Sequence, residues 1–132
     1  MDFGYTRQQE ALQQDVRQFI SEHVTPEVLA EIESELEGGR GPHYKELFNK
    51  IAERGWVGIS VPKEYGGQGG SRIDQYLVEE EFARLSINVG LAGSGAPAIL
   101  AAGTEEQKKY FLPRILSGDI TFALGFTEPS CG

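Results

Sequence analysis

The chain has 132 residues, which fits one domain able to bury roughly two-thirds of its unfolded surface. Its 12 Lys and Arg against 20 Asp and Glu leave a formal net charge of -8, which argues against nucleic acid and anionic membrane surfaces as partners. A hydrophobic fraction of 39% is too high for a disordered chain of this charge, and a single cysteine, Cys131, excludes an internal disulfide.

The first predicted element is a helix. Thr6 with Gln9 forms a capping box, each side chain serving an orphan backbone donor. Leu12, Val16, Phe19, Ile20 and Val24 then recur at helical spacing. Pro26 stops this helix, and Thr25-Pro26-Glu27 starts a second, with Pro at the first helical position and an acid near the positive end. Val28, Leu29, Ile32 and Leu36 are its expected buried stripe. Gly38-Gly39-Arg40-Gly41-Pro42 is a break. A third helix carries Tyr44, Leu47, Phe48 and Ile51 on one face, and Gly55 supplies its left-handed cap. Residues 56–70 are too rich in glycine for a helix and too irregular for a strand. They read as an ordered loop pinned by Trp56 and Tyr65.

Ser71 caps a fourth helix through about Leu85. It is apolar at Ile73, Tyr76, Leu77, Val78, Phe82 and Leu85, a wide face that predicts deep burial. Residues 87–102 are full of small side chains. Each glycine costs a helix about 1 kcal/mol against alanine, so a helix here needs compensating packing, and Pro97 kinks or restarts it. Thr104 with Gln107 makes a second capping box and opens a short helix through Leu112. Pro113 interrupts that helix or begins a further turn, and Gly118 closes it. The period then changes. Ile120, Phe122, Leu124 and Phe126 alternate with Thr121, Ala123, Gly125 and Thr127, giving a strand with one bulky and one small face. An isolated strand leaves its backbone without a ladder, so its partners are expected beyond residue 132 or on another chain.

Few residues here suit chemistry. His23 and His43 do not follow a Glu by three positions, as di-iron bundles need, and no metal ligand set converges. Glu79-Glu80-Glu81 point in different directions on a helix, so at most one faces inward and the run reads as a mostly solvated helix face. Gly66-Gly67-Gln68-Gly69-Gly70 lacks the phosphate-loop pattern and reads as a turn needing positive φ. Cys131 has no histidine nearby in sequence to act as its base. The strand's small face either leaves room for a flat ligand against the backbone or packs on the helices. The residues alone leave both open.

Three stretches carry a resemblance. They are Gly55-Trp56-Val57-Gly58-Ile59-Ser60-Val61-Pro62-Lys63-Glu64-Tyr65-Gly66-Gly67, then Gly103-Thr104-Glu105-Glu106-Gln107-Lys108-Lys109-Tyr110-Phe111-Leu112-Pro113, then Phe122-Ala123-Leu124-Gly125-Phe126-Thr127-Glu128-Pro129-Ser130-Cys131-Gly132. In this order they resemble the N-terminal helical domain of the acyl-CoA dehydrogenase family. The resemblance covers essentially the whole chain and about the first third of a family member. It implies an all-α fold: an up-and-down orthogonal bundle of about six helices, with one C-terminal strand left over from a missing β-domain. Residues 1–118 are then the helical domain and residues 119–132 the first strand of the middle β-domain.

The resemblance also implies an oxidoreductase using FAD. A base removes the α-proton of an acyl-CoA thioester, and a hydride passes from the β-carbon to flavin N5. A trans-2-enoyl-CoA forms, and an electron-transfer flavoprotein takes the electrons. The base is a glutamate of the C-terminal domain, so no residue here is assigned as catalytic and the isolated chain is expected to be inactive. By similarity Leu124, Phe126 and Thr127 lie along the flavin, and Gly132 begins the turn toward its phosphate. Cys131 stands where the family often has alanine. Ser86, Val89, Gly90 and Gly93 resemble residues of a helix that walls the acyl cavity. Expected partners are the acyl-CoA, the electron-transfer flavoprotein and further copies in a homo-oligomer of the full-length protein, with no nucleic acid and no membrane span. No window is apolar enough to cross a bilayer, the first residues lack a signal peptide's features, and a cytoplasmic location is expected. The alternative is a natural short helical module that binds or regulates a dehydrogenase-like partner, its strand adding to the partner's sheet.

Overall fold

A computed structural model describes residues 4–34, 40–91, 95–122 and 129–130. Side-chain caps decide where most of its helices begin. The Gln9 N–H donates to the Thr6 hydroxyl at 3.2 Å, and the Thr6 N–H donates to the Gln9 side chain at 2.9 Å, opening α1 at Arg7–His23. The Val28 N–H donates to the Thr25 hydroxyl at the head of α2, Pro26–Glu33. Helix α3, Pro42–Glu53, begins at Gly41, which has no side chain to offer. Its first amides are met from α2 instead: the Glu31 carboxylate accepts from His43 N–H at 3.1 Å and Tyr44 N–H at 2.7 Å. Reciprocal boxes at Ser71/Asp74 and Thr104/Gln107 open α4, Arg72–Ala83, and α6, Glu105–Leu116. Between them α5 spans Ala96–Ala102, with Pro97 in its first turn. The described residues hold these six helices and no strand, so the all-α class holds.

The core sits between α1, α3 and α4, with the glycine-rich loop tucked into it. Phe19 of α1 meets Trp56 edge-on at 5.2 Å and Phe82 of α4 at 6.2 Å. Trp56 and Tyr65 are buried, as the loop reading requires. The loop folds back on itself through Gly69 N–H to Val61 C=O at 2.9 Å and Gly70 N–H to Ile59 C=O at 3.0 Å. Lys63–Tyr65 form a short 3-10 turn that packs on α6.

Several expectations are corrected. Leu29 is 36% exposed, because α2 is one short helix resting on α3 through Val28; Leu36 lies outside the described residues. The wide buried face expected on α4 is narrower. Leu77, Val78 and Phe82 are fully buried, whereas Ile73 and Tyr76 are 51% and 56% exposed. Residues 87–102 are not one helix: 87–91 carry no helix, and Pro97 restarts the chain as α5. Pro113 does not stop α6, which runs through it to Leu116. An interior proline costs a helix about 3 kcal/mol; burial of Leu112, Ile115 and Leu116 around it offsets that. The predicted strand falls largely on residues 123–127, which lie outside the described residues.

Candidate functional site

The end of α4 shapes the site. Ser86 N–H donates to Ala83 C=O at 3.0 Å and Ile87 N–H to Phe82 C=O at 3.1 Å. This is the paired ending that normally places glycine in the left-handed position. Here Ser86 takes it, at φ 60, while Gly55 fills the same position after α3 at φ 71. After the turn the chain runs on without helix. Ile87, Val89 and Leu91 are buried, and Asn88 between them is exposed. The Gly90 N–H donates to the Asn88 side chain at 3.0 Å and fixes the turn.

Two cavities border this run and share Asn88 and Gly90. The larger, about 500 Å³, reaches from Tyr44 and Phe48 of α3 to Ile120, Thr121 and Phe122. The smaller, about 290 Å³, is lined by Glu79, Ala83, Ser86, Asn88, Val89 and Gly90. Ligand pockets span roughly 300–1,000 Å³. Of the four residues expected to wall an acyl cavity, Ser86, Val89 and Gly90 thus meet at one groove, and Gly93 lies outside the described residues.

Glu79 also borders this groove, and reading the acidic run as a solvated face misses it. The Ser60 N–H donates to Gln75 Oε1 at 3.3 Å, and the Ser60 hydroxyl donates to the same oxygen. Gln75 Nε2 in turn donates to Glu79 Oε1 at 2.5 Å. A Cβ at Gly90 would lie 2.8 Å from Glu79 Oε1, so a side chain there would shift the carboxylate from this place. The spacing of Gln75 and Glu79, one turn apart on one helix, is the signal that could have found the pair.

One acid of the run does face inward. Glu81 is 5% exposed and accepts from Arg17 at 2.7 Å and Gln13 at 2.9 Å, both on α1. The Arg17 hydrogen bond holds its carboxyl below the usual range against the opposing effect of burial. Tyr65 donates to Glu105 at 2.8 Å, and that bond pushes the phenol up to about 12. The same bond, followed by one from Lys108, lowers Glu105. Both pairs join elements and border neither cavity. The His23 ring lies tilted against Phe19 at 4.4 Å, and His43 meets Glu31 through its backbone. Among the described residues no three His, Cys, Asp or Glu groups are placed to hold a metal. No described helix is long and apolar enough to cross a membrane.

A family model for the acyl-CoA dehydrogenase N-terminal domain matches residues 6–119. The chain belongs to the acyl-CoA dehydrogenase family. It is 40% identical to the acyl-CoA dehydrogenase FadE26 of Mycobacterium tuberculosis, over 100% of this chain and 34% of that protein. It therefore spans about a third of the length of the curated relatives it matches. A crystal structure of the ChsE4-ChsE5 complex from the same organism matches with a TM-score of 0.82 at 39% identity, over 100% of this chain and 33% of that one. An acyl-CoA dehydrogenase complexed with FAD from Bacillus anthracis matches with a TM-score of 0.75 at 29% identity, over 97% of this chain and 22% of that one. Within this family frame, the flavin contacts expected at Leu124, Phe126, Thr127 and Gly132 all lie outside the described residues, as does Cys131. The described approach to them is anchored. The Phe122 ring lies 6.1 Å from Phe111, and a Cβ at Gly95 would fall 3.0 Å from it.

Proposed function

We propose that this chain supplies the N-terminal domain of a flavin-dependent acyl-CoA dehydrogenase that oxidises an acyl-CoA thioester to the trans-2-enoyl-CoA. In that reading residues 1–118 are the helical domain and residues 119–132 open the middle β-domain. The observation that carries it is the family match over residues 6–119, shared with relatives about three times as long. The expected flavin contacts lie outside the described residues, so no described residue is given a step at the cofactor. When bound, FAD supplies the acceptor for the β-hydride. This chain's own part is to wall the acyl group with the Ser86–Gly90 run, where Gly90 leaves room and Val89 gives an apolar surface. The α-proton goes to a glutamate outside these residues, and an electron-transfer flavoprotein takes the electrons, in the cytoplasm. The whole protein is a homo-oligomer in this reading; the likeness to a complex of two named components makes a mixed assembly the outcome to look for when its mass is measured.

The test compares two purified proteins: residues 1–132 alone, and the product of the complete reading frame that contains them. Each is assayed with a panel of acyl-CoA thioesters and an artificial electron acceptor. The complete product should carry FAD and reduce the acceptor with at least one thioester, while residues 1–132 alone should do neither. Stoichiometric FAD on the 132 residues would overturn the division of labour. A complete product that is inactive with every thioester would overturn the activity.

A further inference from the structure

We propose that Glu79 selects the acyl group, and that the groove beside it takes acyl chains bearing a hydrogen-bond donor, a hydroxyl above all. This rests on the acyl-CoA reading above and deepens it. Three observations converge on one place. The first is the groove itself, about 290 Å³ between the end of α4 and the Ser86–Gly90 run. The second is the fixing of the carboxylate. A surface glutamate usually samples many rotamers, and ordering one on binding costs conformational entropy. Here Ser60 orients Gln75, and Gln75 holds Glu79 Oε1, before any ligand arrives. The third is Gly90, whose missing side chain leaves the carboxylate lying over bare backbone.

An ionised carboxylate is an acceptor only, with roughly four lone-pair sites. Gln75 uses one oxygen. The rest of the lining is largely apolar, with Ala83, Ile87 and Val89; the Ser86 hydroxyl and the Asn88 side chain, whose Oδ1 already accepts from the Gly90 N–H, are its other polar groups, so Glu79 is the charged acceptor that a ligand donor finds here. An acyl group without a donor desolvates the carboxylate and returns nothing to it. Sites built this way discriminate strongly against analogues that lack the donor. A second carboxylate on the acyl group is excluded by like charge.

The test uses the FAD-loaded product of the complete reading frame. Its substrates are octanoyl-CoA against ω-hydroxyoctanoyl-CoA, and cyclohexylacetyl-CoA against its ring-hydroxylated derivatives. In the wild type at least one hydroxylated partner should be preferred by about tenfold in kcat/KM, the size expected for a hydrogen bond to a charged group. Glu79→Ala should bring that ratio close to one, chiefly by raising KM for the hydroxylated thioester. Glu79→Gln, near in shape and still an acceptor, should keep part of the preference, and it carries the test if the alanine variant fails to fold. A purely structural role would depress both members of a pair together and leave the ratio alone. A wild type without preference, or an unchanged ratio in both variants, overturns the assignment of Glu79. No turnover with any thioester overturns the acyl-CoA reading beneath it.

Discussion

Ser86 occupies a backbone position that glycine takes without penalty. Its φ of 60 is the one left-handed value at a non-glycine among the described residues. A side chain there costs roughly 1–2 kcal/mol, while glycine would add about 0.5–1 kcal/mol of unfolded-state entropy. The strain term is the larger. Ser86→Gly should therefore stabilise the protein by about 0.5–1 kcal/mol. Urea unfolding should read this as a higher midpoint with an unchanged slope. A lower midpoint would mean that the Ser86 hydroxyl supports the groove in a way the backbone does not reveal.

At the scale of elements, α1 and α4 are clamped by Glu81, and the clamp titrates. The Arg17 hydrogen bond places the folded carboxyl below the ordinary glutamate range. A depressed acid stabilises the fold fully above the unfolded value, and that stabilisation is lost as pH falls through the lower folded value. Glu81→Gln should flatten the acid side of the stability profile below about pH 4.5 and change its neutral-to-alkaline side only by a constant offset. Unfolding midpoints measured from acid to neutral pH give the profile; a variant as acid-sensitive as the wild type would assign the titration elsewhere. Which glutamate of the run faces inward was open to sequence reading. Glu81 follows Leu77 by four and Val78 by three, so it shares their buried face. The helix starts were legible because capping joins residues only three apart. The course of the chain from residue 84 to 97 was not, since Ser86 is an unusual left-handed residue and nothing local announces it. Pro113 was equally opaque: what offsets it is the burial of Leu112, Ile115 and Leu116 around it, which only the tertiary packing supplies.

Across the whole molecule, one side chain joins what the chain keeps apart. Trp56 is 5% exposed, lies edge-on to Phe19 of α1, tilts 6.2 Å from Phe82 of α4, and carries the Arg54 guanidinium 5.0 Å from its ring. The sequence marked it as the pin of a loop. Its ring contacts show a wider part, as the link between α1, the loop and the helix whose far end forms the groove. Truncating a buried Trp costs about 3–5 kcal/mol, a large share of the roughly 5–15 kcal/mol that holds a domain folded. Because Phe82 also accepts the Ile87 amide, loss of the ring behind it should loosen the Ser86–Gly90 run before it unfolds α6. Trp56→Phe, which keeps an aromatic ring, should recover most of the stability; Trp56→Ala should not. Hydrogen exchange can separate local from global effects. In Trp56→Ala the amides of Ile87 and Gly90 should lose more protection than those of Lys108 and Ser117 in α6 and its cap, whereas uniform loss across all four would make Trp56 a general core residue with no particular hold on the groove.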